Sequence, residues 1–146
     1  MLPLDIEPDI LERMTSHAEA AFPNECCGFF YGAEEEGKRI ITATTAVHNH
    51  KKGDQRRRFK ISDLDYMKAE RHAAKEGLIL LGVYHSHPLH PAIPSEHDLA
   101  VAMPFFSYLI VSVQPEGTAH VRSWQLDDSR TFQEEPLVTL PDAWRV

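Results

Sequence analysis

The sequence predicts a mixed α/β or α+β domain in which helices pack on a central mixed β-sheet. Helical and strand-like patterns alternate along the chain, which is typical of this fold class. The run from Leu78 to His85 is nearly all apolar, as expected of a central strand that is covered on both faces. A chain of 146 residues fits one compact domain, taken as residues 1–146, and is short for two.

Three helices are predicted from apolar spacing and end signals. Residues 9–22 carry apolar side chains at helical spacing and are followed by a proline. Ser62 is a good N-cap for a second helix over 63–76, which a glycine follows. A short helix over 96–103 ends before Pro104.

Runs rich in β-branched and aromatic residues predict the strands. Two of them, 26–33 and 38–47, are separated by a short polar turn with a glycine, so we expect a hairpin. Further strands are predicted at 78–85, 107–113 and 119–126, with short extended pieces at 59–61 and 131–133.

Composition excludes several classes of protein. The formal net charge of -7 argues against a nucleic-acid partner, because phosphate binding needs a basic face. No run approaches the roughly 20 apolar residues of a membrane span, and the first residues lack the pattern of a signal peptide. The two cysteines, Cys26 and Cys27, are adjacent, so a disulfide scaffold is not expected. We therefore expect a cytoplasmic protein.

The histidines indicate metal chemistry near residue 90. His85 and His87 stand two residues apart at the end of a predicted strand, so both imidazoles face the same way. Asp98 joins them if the intervening proline-rich loop folds the next helix back over the strand end. Two imidazoles and a carboxylate, with a fourth position left for water, are typical of catalytic zinc sites. Each piece also has a structural interpretation, since Ser95-x-x-Asp98 can be a helix-capping box.

Two motifs together carry a resemblance to a known family. His85-x-His87, seven residues, Ser95, two residues and Asp98 resembles the motif of JAMM (MPN+) metal-dependent isopeptidases and related hydrolases. Upstream, the segment 23–28, Pro-Asn-Glu-Cys-Cys-Gly, is similar to the family's Pro-x-Glu-x-Cys-Gly. The similarity extends from the first helix to about residue 126.

The resemblance implies a fold, a cofactor and a set of roles. The fold would be a single MPN/JAMM-like domain related to the cytidine-deaminase-like architecture. His85, His87 and Asp98 would bind one Zn²⁺ per chain. Glu25 would accept the proton of the attacking water and deliver it to the leaving amine. Ser95 would donate a hydrogen bond to the developing oxyanion.

Other polar residues near the motifs leave several interpretations open. His90 and His97 are expected at the surface or beside the ligands, and His48 and His50 are candidates for lining the cleft. The segment 51–58 holds five basic residues. It is either a solvated, mobile loop or a docking site for an acidic partner face or a peptide carboxylate.

The resemblance also implies a substrate class. The chain has no room for the long insertion of chain-specific deubiquitinases, so it is similar to the short prokaryotic members. Those act at the C-terminal tail of ubiquitin-like or sulfur-carrier proteins, and cysteine release, tail trimming and isopeptide cleavage all stay open. The alternative is a non-catalytic MPN-type interaction module, although such modules typically lack zinc ligands. Zinc deaminases and zincins are not supported, because Cys-x-x-Cys and His-Glu-x-x-His are both missing from the sequence.

Overall fold

A computed structural model describes residues 2–138 and 141–144 and confirms the predicted fold class. Within these residues a seven-stranded mixed sheet is flanked by three α-helices. None of these helices is long and apolar enough to cross a membrane. The elements in chain order are β1 (Leu4–Ile6), α1 (Pro8–Ala21), β2 (Cys27–Glu35), β3 (Lys38–Val47), α2 (Asp63–Glu76), β4 (Ile79–Pro88), α3 (Glu96–Val101), β5 (Ser107–Gln114), β6 (Gly117–Leu126), β7 (Phe132–Glu135) and a 3-10 helix (Asp142–Trp144).

The strand order is β1-β3-β2-β4-β5-β6-β7, which puts β4 at the centre. The predicted β2–β3 hairpin is confirmed, and both β2 and β5 pair with β4. The β4–β5 pair is parallel and therefore needs a crossover connection. The proline-rich loop and α3 form that crossover, so the chain leaves β4 through the segment that carries the second half of the histidine motif.

Some predicted element bounds need correction, and one strand was not predicted. The helix predicted to reach residue 103 ends at Val101, because Ala102 is extended and the N–H of Met103 donates to the hydroxyl of Tyr108 at 2.6 Å. Strand β4 continues to Pro88, three residues past its predicted end. Strand β1 was not predicted, since three residues are too few to show a period. It pairs in parallel with β3.

Both faces of the sheet are covered, which explains why its central strands are apolar throughout. Neighbouring residues of β2 point to opposite sides, with Phe30 in one core cluster and Phe29 in the other. The first cluster includes Met14 from α1, and the second includes Ala69 and Ala73 from α2. A helix on each side thus shields the sheet from water.

The sheet curls until its two edges meet. The N–H of Leu4 in β1 donates to the carbonyl of Pro136 at 2.8 Å, and the N–H of Val138 donates back to the carbonyl of Leu4 at 3.0 Å. These bonds join the first strand to the residues that follow the last one. The arrangement therefore resembles a closed barrel, and side chains of distant strands share its interior.

A buried ionic network spans that interior. Arg39 in β3 donates to the hydroxyl of Ser107 at 2.5 Å and to the carbonyl of Leu81 at 3.1 Å. Its Nη1 lies 3.9 Å from Oε2 of Glu135 in β7. The other oxygen of Glu135 accepts from Ser123 at 2.6 Å. Arg39 and Glu135 are both buried, whereas the other carboxylate beside Arg39, that of Glu34 at 3.5 Å, is exposed. Glu135 is therefore the buried counter-charge of Arg39.

We expect Glu135→Leu to lower the free energy of unfolding by about 3 kcal/mol, because it removes the buried counter-charge of Arg39 and leaves the guanidinium beside the exposed carboxylate of Glu34. The matched control is Glu134→Leu, the adjacent exposed carboxylate that pairs with Arg122. It should cost less than about 1 kcal/mol, as exposed ion pairs do. Urea unfolding measures both variants. Equal losses would contradict a structural role for the buried pair.

Candidate metal centre

The structure brings the three predicted ligands together at the end of β4. His85 and His87 are buried, and their Nε2 atoms lie 3.2 Å apart. Oδ2 of Asp98 lies 3.1 Å from Nε2 of His87 and 3.4 Å from Nε2 of His85. Four ligands around one zinc at 2.0–2.1 Å are separated by about 3.3 Å in a tetrahedron. The spacing of these atoms therefore fits one zinc ion at their centre.

A capping box orients the carboxylate of Asp98. The hydroxyl of Ser95 accepts the N–H of Asp98 at 3.1 Å, and Oδ2 of Asp98 accepts the N–H of Ser95 at 2.9 Å. That Oδ2 is the same oxygen that faces the two imidazoles. The helix-capping interpretation of Ser95 and Asp98 is thus compatible with Asp98 as a metal ligand, because the cap fixes the rotamer that presents the oxygen.

The two imidazoles are oriented in different ways. Nδ1 of His87 lies 2.9 Å from the carbonyl of Pro91. A carbonyl can only accept, so the proton resides on Nδ1 and Nε2 presents its lone pair to the site. The ring of His85 stacks on Phe59 with centroids 4.5 Å apart. Packing rather than a hydrogen bond therefore orients His85, whose Nδ1 has no partner among the described residues.

The charge states suit a divalent cation. Burial lowers the pKa of His85, although Asp98 opposes this, and so favours a neutral imidazole. Burial alone would raise the pKa of Asp98, but the imidazoles and the N–H of Ser95 together hold it well below its usual value. Burial lowers the pKa of His87, but the hydrogen bond and charge of Asp98 outweigh it and raise the pKa. A cation that binds Nε2 of His87 therefore competes with a proton there. An ionised carboxylate beside imidazoles is the donor set that zinc requires.

Glu25 lies beside this centre with an unpaired carboxylate. One ligand atom each from Glu25, His85 and His87 lie within 4.8 Å of one another. Glu25 is buried, and its Oε1 has no hydrogen-bond partner among the described residues. The pKa of Glu25 is raised to about 8, mainly by burial, with His87 and Arg58 opposing the shift and Asp98 adding to it. A buried unpaired oxygen is costly, and a cation or its bound water would satisfy it.

The packing around Gly28 explains why the upstream motif, residues 23–28, ends in a glycine. A Cβ on this residue would meet the ring of Tyr84 and lie 2.6 Å from the carbonyl oxygen of Thr45. The strand β2 can therefore approach its neighbours only with glycine here. That close approach places Glu25, three residues earlier in the chain, against the end of β4.

A cavity of about 430 Å³ opens onto the centre. His87, Ser95 and Glu25 lie in its wall together with His90 and Arg57. The interpretation of His48 and His50 as residues that line the cleft needs correction. His48 lines a different cavity against α2, and His50 pairs with Asp65 at 3.3 Å, so neither lines this one. His97 is half-buried and lines a separate groove described below.

Three residues that carried no sequence signal hold the proline-rich loop in place. The hydroxyl of Ser112 donates to the carbonyl of His90 at 2.5 Å. Nε2 of His120 accepts the N–H of Ala92 at 3.0 Å, and the indole N–H of Trp124 donates to the carbonyl of Ala92 at 2.9 Å. These partners are 22 to 32 residues apart in sequence, a separation at which spacing predicts nothing.

Comparison with known proteins agrees with the geometry. The family profile described as prokaryotic homologs of the JAB domain matches residues 7–127. A relative from Thermus thermophilus, named a probable TtuB-protein conjugate cleaving protease, is 32% identical over 139 residues, covering 95% of this chain and 84% of that protein. A desampylase from Pyrococcus furiosus is 25% identical over 114 residues, covering 78% of this chain and 75% of that protein.

Solved structures show the same fold. A protein from Desulfitobacterium hafniense superposes with a TM-score of 0.80 at 28% identity and covers 92% of this chain and 91% of its own. A protein from Salinibacter ruber gives a TM-score of 0.71 at 34% identity and covers 97% of this chain and 95% of its own. Both similarities extend over nearly the whole chain.

The contact between His120 and Ala92 makes loop stability depend on pH. Burial, and then Arg122, lower the pKa of His120 below its ordinary value of 6.5. The unfolded chain therefore binds a proton more readily, so the stabilisation is present above about pH 6.5 and is lost as the pH falls through the lower folded value. Glutamine can accept the same N–H but cannot be protonated. Between pH 7.5 and 5.5 we therefore expect the free energy of unfolding to fall less in His120→Gln than in the wild type. The midpoints of urea unfolding at both pH values measure this difference. An equal fall of the midpoint in the variant and the wild type would contradict the role of His120.

Proposed function

The chain belongs to the family of prokaryotic homologs of the JAB domain, and from that premise we propose that it is a zinc-dependent JAMM-type hydrolase. We propose further that it cleaves an amide or isopeptide bond at the C-terminal tail of a ubiquitin-like or sulfur-carrier protein. The supporting observation is the convergence of His85, His87 and Asp98 on one point, with the unpaired carboxylate of Glu25 beside it. The names of the two relatives, a conjugate-cleaving protease and a desampylase, support the same reaction class.

The residues of this chain divide the chemistry between them. A zinc ion held by His85, His87 and Asp98 would supply Lewis-acid chemistry and lower the pKa of water toward about 7. Glu25 accepts the proton of the attacking water and passes it to the leaving amine. The hydroxyl of Ser95 accepts the N–H of Asp98, which leaves its own hydrogen to donate to the oxyanion.

A groove beside the centre offers a path for a substrate tail. It has a volume of about 830 Å³ and is lined mainly by apolar side chains, among them Ile61, Val101 and Phe106. Its wall includes Phe59, the residue that stacks on His85. Among the described residues, the groove shares no lining residue with the cavity at the centre, so we propose that an extended tail passes from the groove over Phe59 to the metal ligands. This geometry suits a small folded protein with a protruding C-terminus.

Two further points complete the proposal. Cys26 and Cys27 are free and buried, which suits a reducing compartment, so we propose the cytoplasm.

The alternative of a non-catalytic interaction module predicts neither zinc binding nor hydrolysis. Zinc content therefore separates the two.

We expect the wild type to hold about one zinc per chain, His87→Ala to lose it, and Glu25→Gln to keep it. Activity against a carrier tail should fall at least 10²-fold in Glu25→Gln, because proton transfer is lost while the ligands remain. Elemental analysis and a tail-hydrolysis assay on the same samples measure both. A wild type that binds no zinc when zinc is supplied would leave the interaction module as the better account.

The basic loop gives a second test, because Arg57 lines the cavity. Replacing Arg56, Arg57 and Arg58 by Gln should raise KM for a protein substrate about ten-fold if the loop attracts an acidic partner face. KM for a short peptide mimic should stay unchanged. Arg13→Gln, an exposed arginine on α1, controls for the loss of positive charge. Equal effects on the two substrates would rule out a partner-docking role.

A further inference from the structure

The side chain of Asn49 is buried, although most of the loop that follows it is exposed. Each donor and acceptor site of its carboxamide has a hydrogen-bond partner. Its Oδ1 accepts the N–H groups of Lys51 and Lys60, each at 3.0 Å. Its Nδ2 donates to the carbonyls of Glu25 at 3.1 Å and Arg58 at 3.2 Å. A carboxamide offers two donors and two acceptor lone pairs. Asn49 therefore ties both ends of the loop to Glu25.

The same loop binds the other side of Glu25. The N–H of Glu25 donates to the carbonyl of Gln55 at 2.7 Å. Nε2 of Gln55 in turn donates to the carbonyls of Asn49 at 3.1 Å and Lys51 at 2.9 Å. Residues 49–60, which we call the brace, thus form a closed unit that holds the peptide groups on both sides of the Glu25 Cα. The arginines 56–58 within it nevertheless stay exposed to solvent.

The position of Glu25 in the chain explains why a brace is needed. Helix α1 ends at Ala21 and β2 begins at Cys27, so Glu25 belongs to neither element. The metal ligands, in contrast, lie on β4 and α3, and none of the contacts of Asn49 involves them. Strand β4 also supports Glu25 through its neighbour, because the N–H of Cys26 donates to the hydroxyl of Ser86 at 2.8 Å. The brace in turn touches one ligand, since Phe59 stacks on His85. The hydrogen bonds of Asn49 itself, however, act on Glu25 and on no metal ligand.

We propose that Asn49 is a positioning residue that holds Glu25 at the distance from the metal centre that proton transfer requires. The inference rests on the function proposed above for Glu25. It follows that loss of the Asn49 donors impairs the proton-transfer step and spares both metal binding and substrate binding. A displacement of about 1 Å at a catalytic group is enough to reduce rates by about 10²-fold.

The test uses Asn49→Asp, which has nearly the same shape. It keeps an oxygen for the N–H groups of Lys51 and Lys60 but places a second oxygen against the carbonyls of Glu25 and Arg58. We expect kcat for tail hydrolysis to fall 10- to 100-fold, with KM and zinc content unchanged. Thr44→Val is the matched control, because it removes one side-chain hydrogen bond to the carbonyl of Phe29 without touching the brace. It should leave kcat unchanged.

Amide hydrogen exchange in the zinc-free protein gives a readout that does not depend on activity. The Glu25 N–H, held by Gln55, should exchange at least ten-fold faster in Asn49→Asp than in the wild type. The amide of Val83 in β4 should keep its wild-type rate. If Asn49→Asp does not fold, Gln55→Glu removes both side-chain donors of the half-buried Gln55 and should show the same pattern of kcat and exchange.

The outcomes separate the two proposals. A wild type that binds zinc and hydrolyses the tail, with kcat unchanged in both brace variants, overturns the role of Asn49 and leaves the enzyme function standing. The positioning role of Asn49 is also overturned if kcat falls only because zinc is lost. The same holds if Thr44→Val lowers kcat as much as the brace variants do. A wild type with neither zinc nor activity removes the enzyme function and the positioning role together.

Discussion

One oxygen atom, Oδ2 of Asp98, connects the elements on which the site depends. It accepts the N–H of Ser95 and faces the Nε2 atoms of both His85 and His87. A buried carboxylate is stable only when its charge is compensated, and here the compensation comes from two different elements. The same contact therefore caps α3 and fixes it to the end of β4. This contact therefore fixes the path of the crossover between β4 and β5.

The rest of the molecule supports the site from two sides. Strands β5 and β6 hold the proline-rich loop through Ser112, His120 and Trp124. That loop supplies the carbonyl of Pro91 that orients His87. The brace holds Glu25 from the opposite side. Closure of the sheet keeps the strands that carry these supports in register, so the site depends on contacts from most of the fold.

The parts that sequence predicts are those set by short-range rules. The period-two rule placed His85 and His87 on one face, and the cap pattern over 95–98 located the start of α3. The parts that sequence could not predict depend on contacts between distant residues. Spacing cannot show that Arg39 meets Glu135 across a curled sheet, or that Asn49 bonds to Glu25, because each pair forms only when separate elements pack. The three-residue strand β1 was missed for the same reason: its pairing with β3, not its own pattern, makes it a strand.

Among the residues that the structure describes, buried polar atoms without a hydrogen-bond partner occur at the site as well as in the ionic network of the core, where Nε of Arg39 and Oε2 of Glu135 lie beside opposite charges. Within the described part of the chain, Oε1 of Glu25 and Nδ1 of His85 are buried without partners. Each such atom costs free energy, and native folds concentrate these costs at functional sites. The backbone of Glu25, in contrast, is well bonded. Both of its adjacent peptide groups form hydrogen bonds to the brace, while its carboxylate stays free. A proton-transfer group needs this combination, because its position must be fixed in advance while its oxygens remain available to the reacting water.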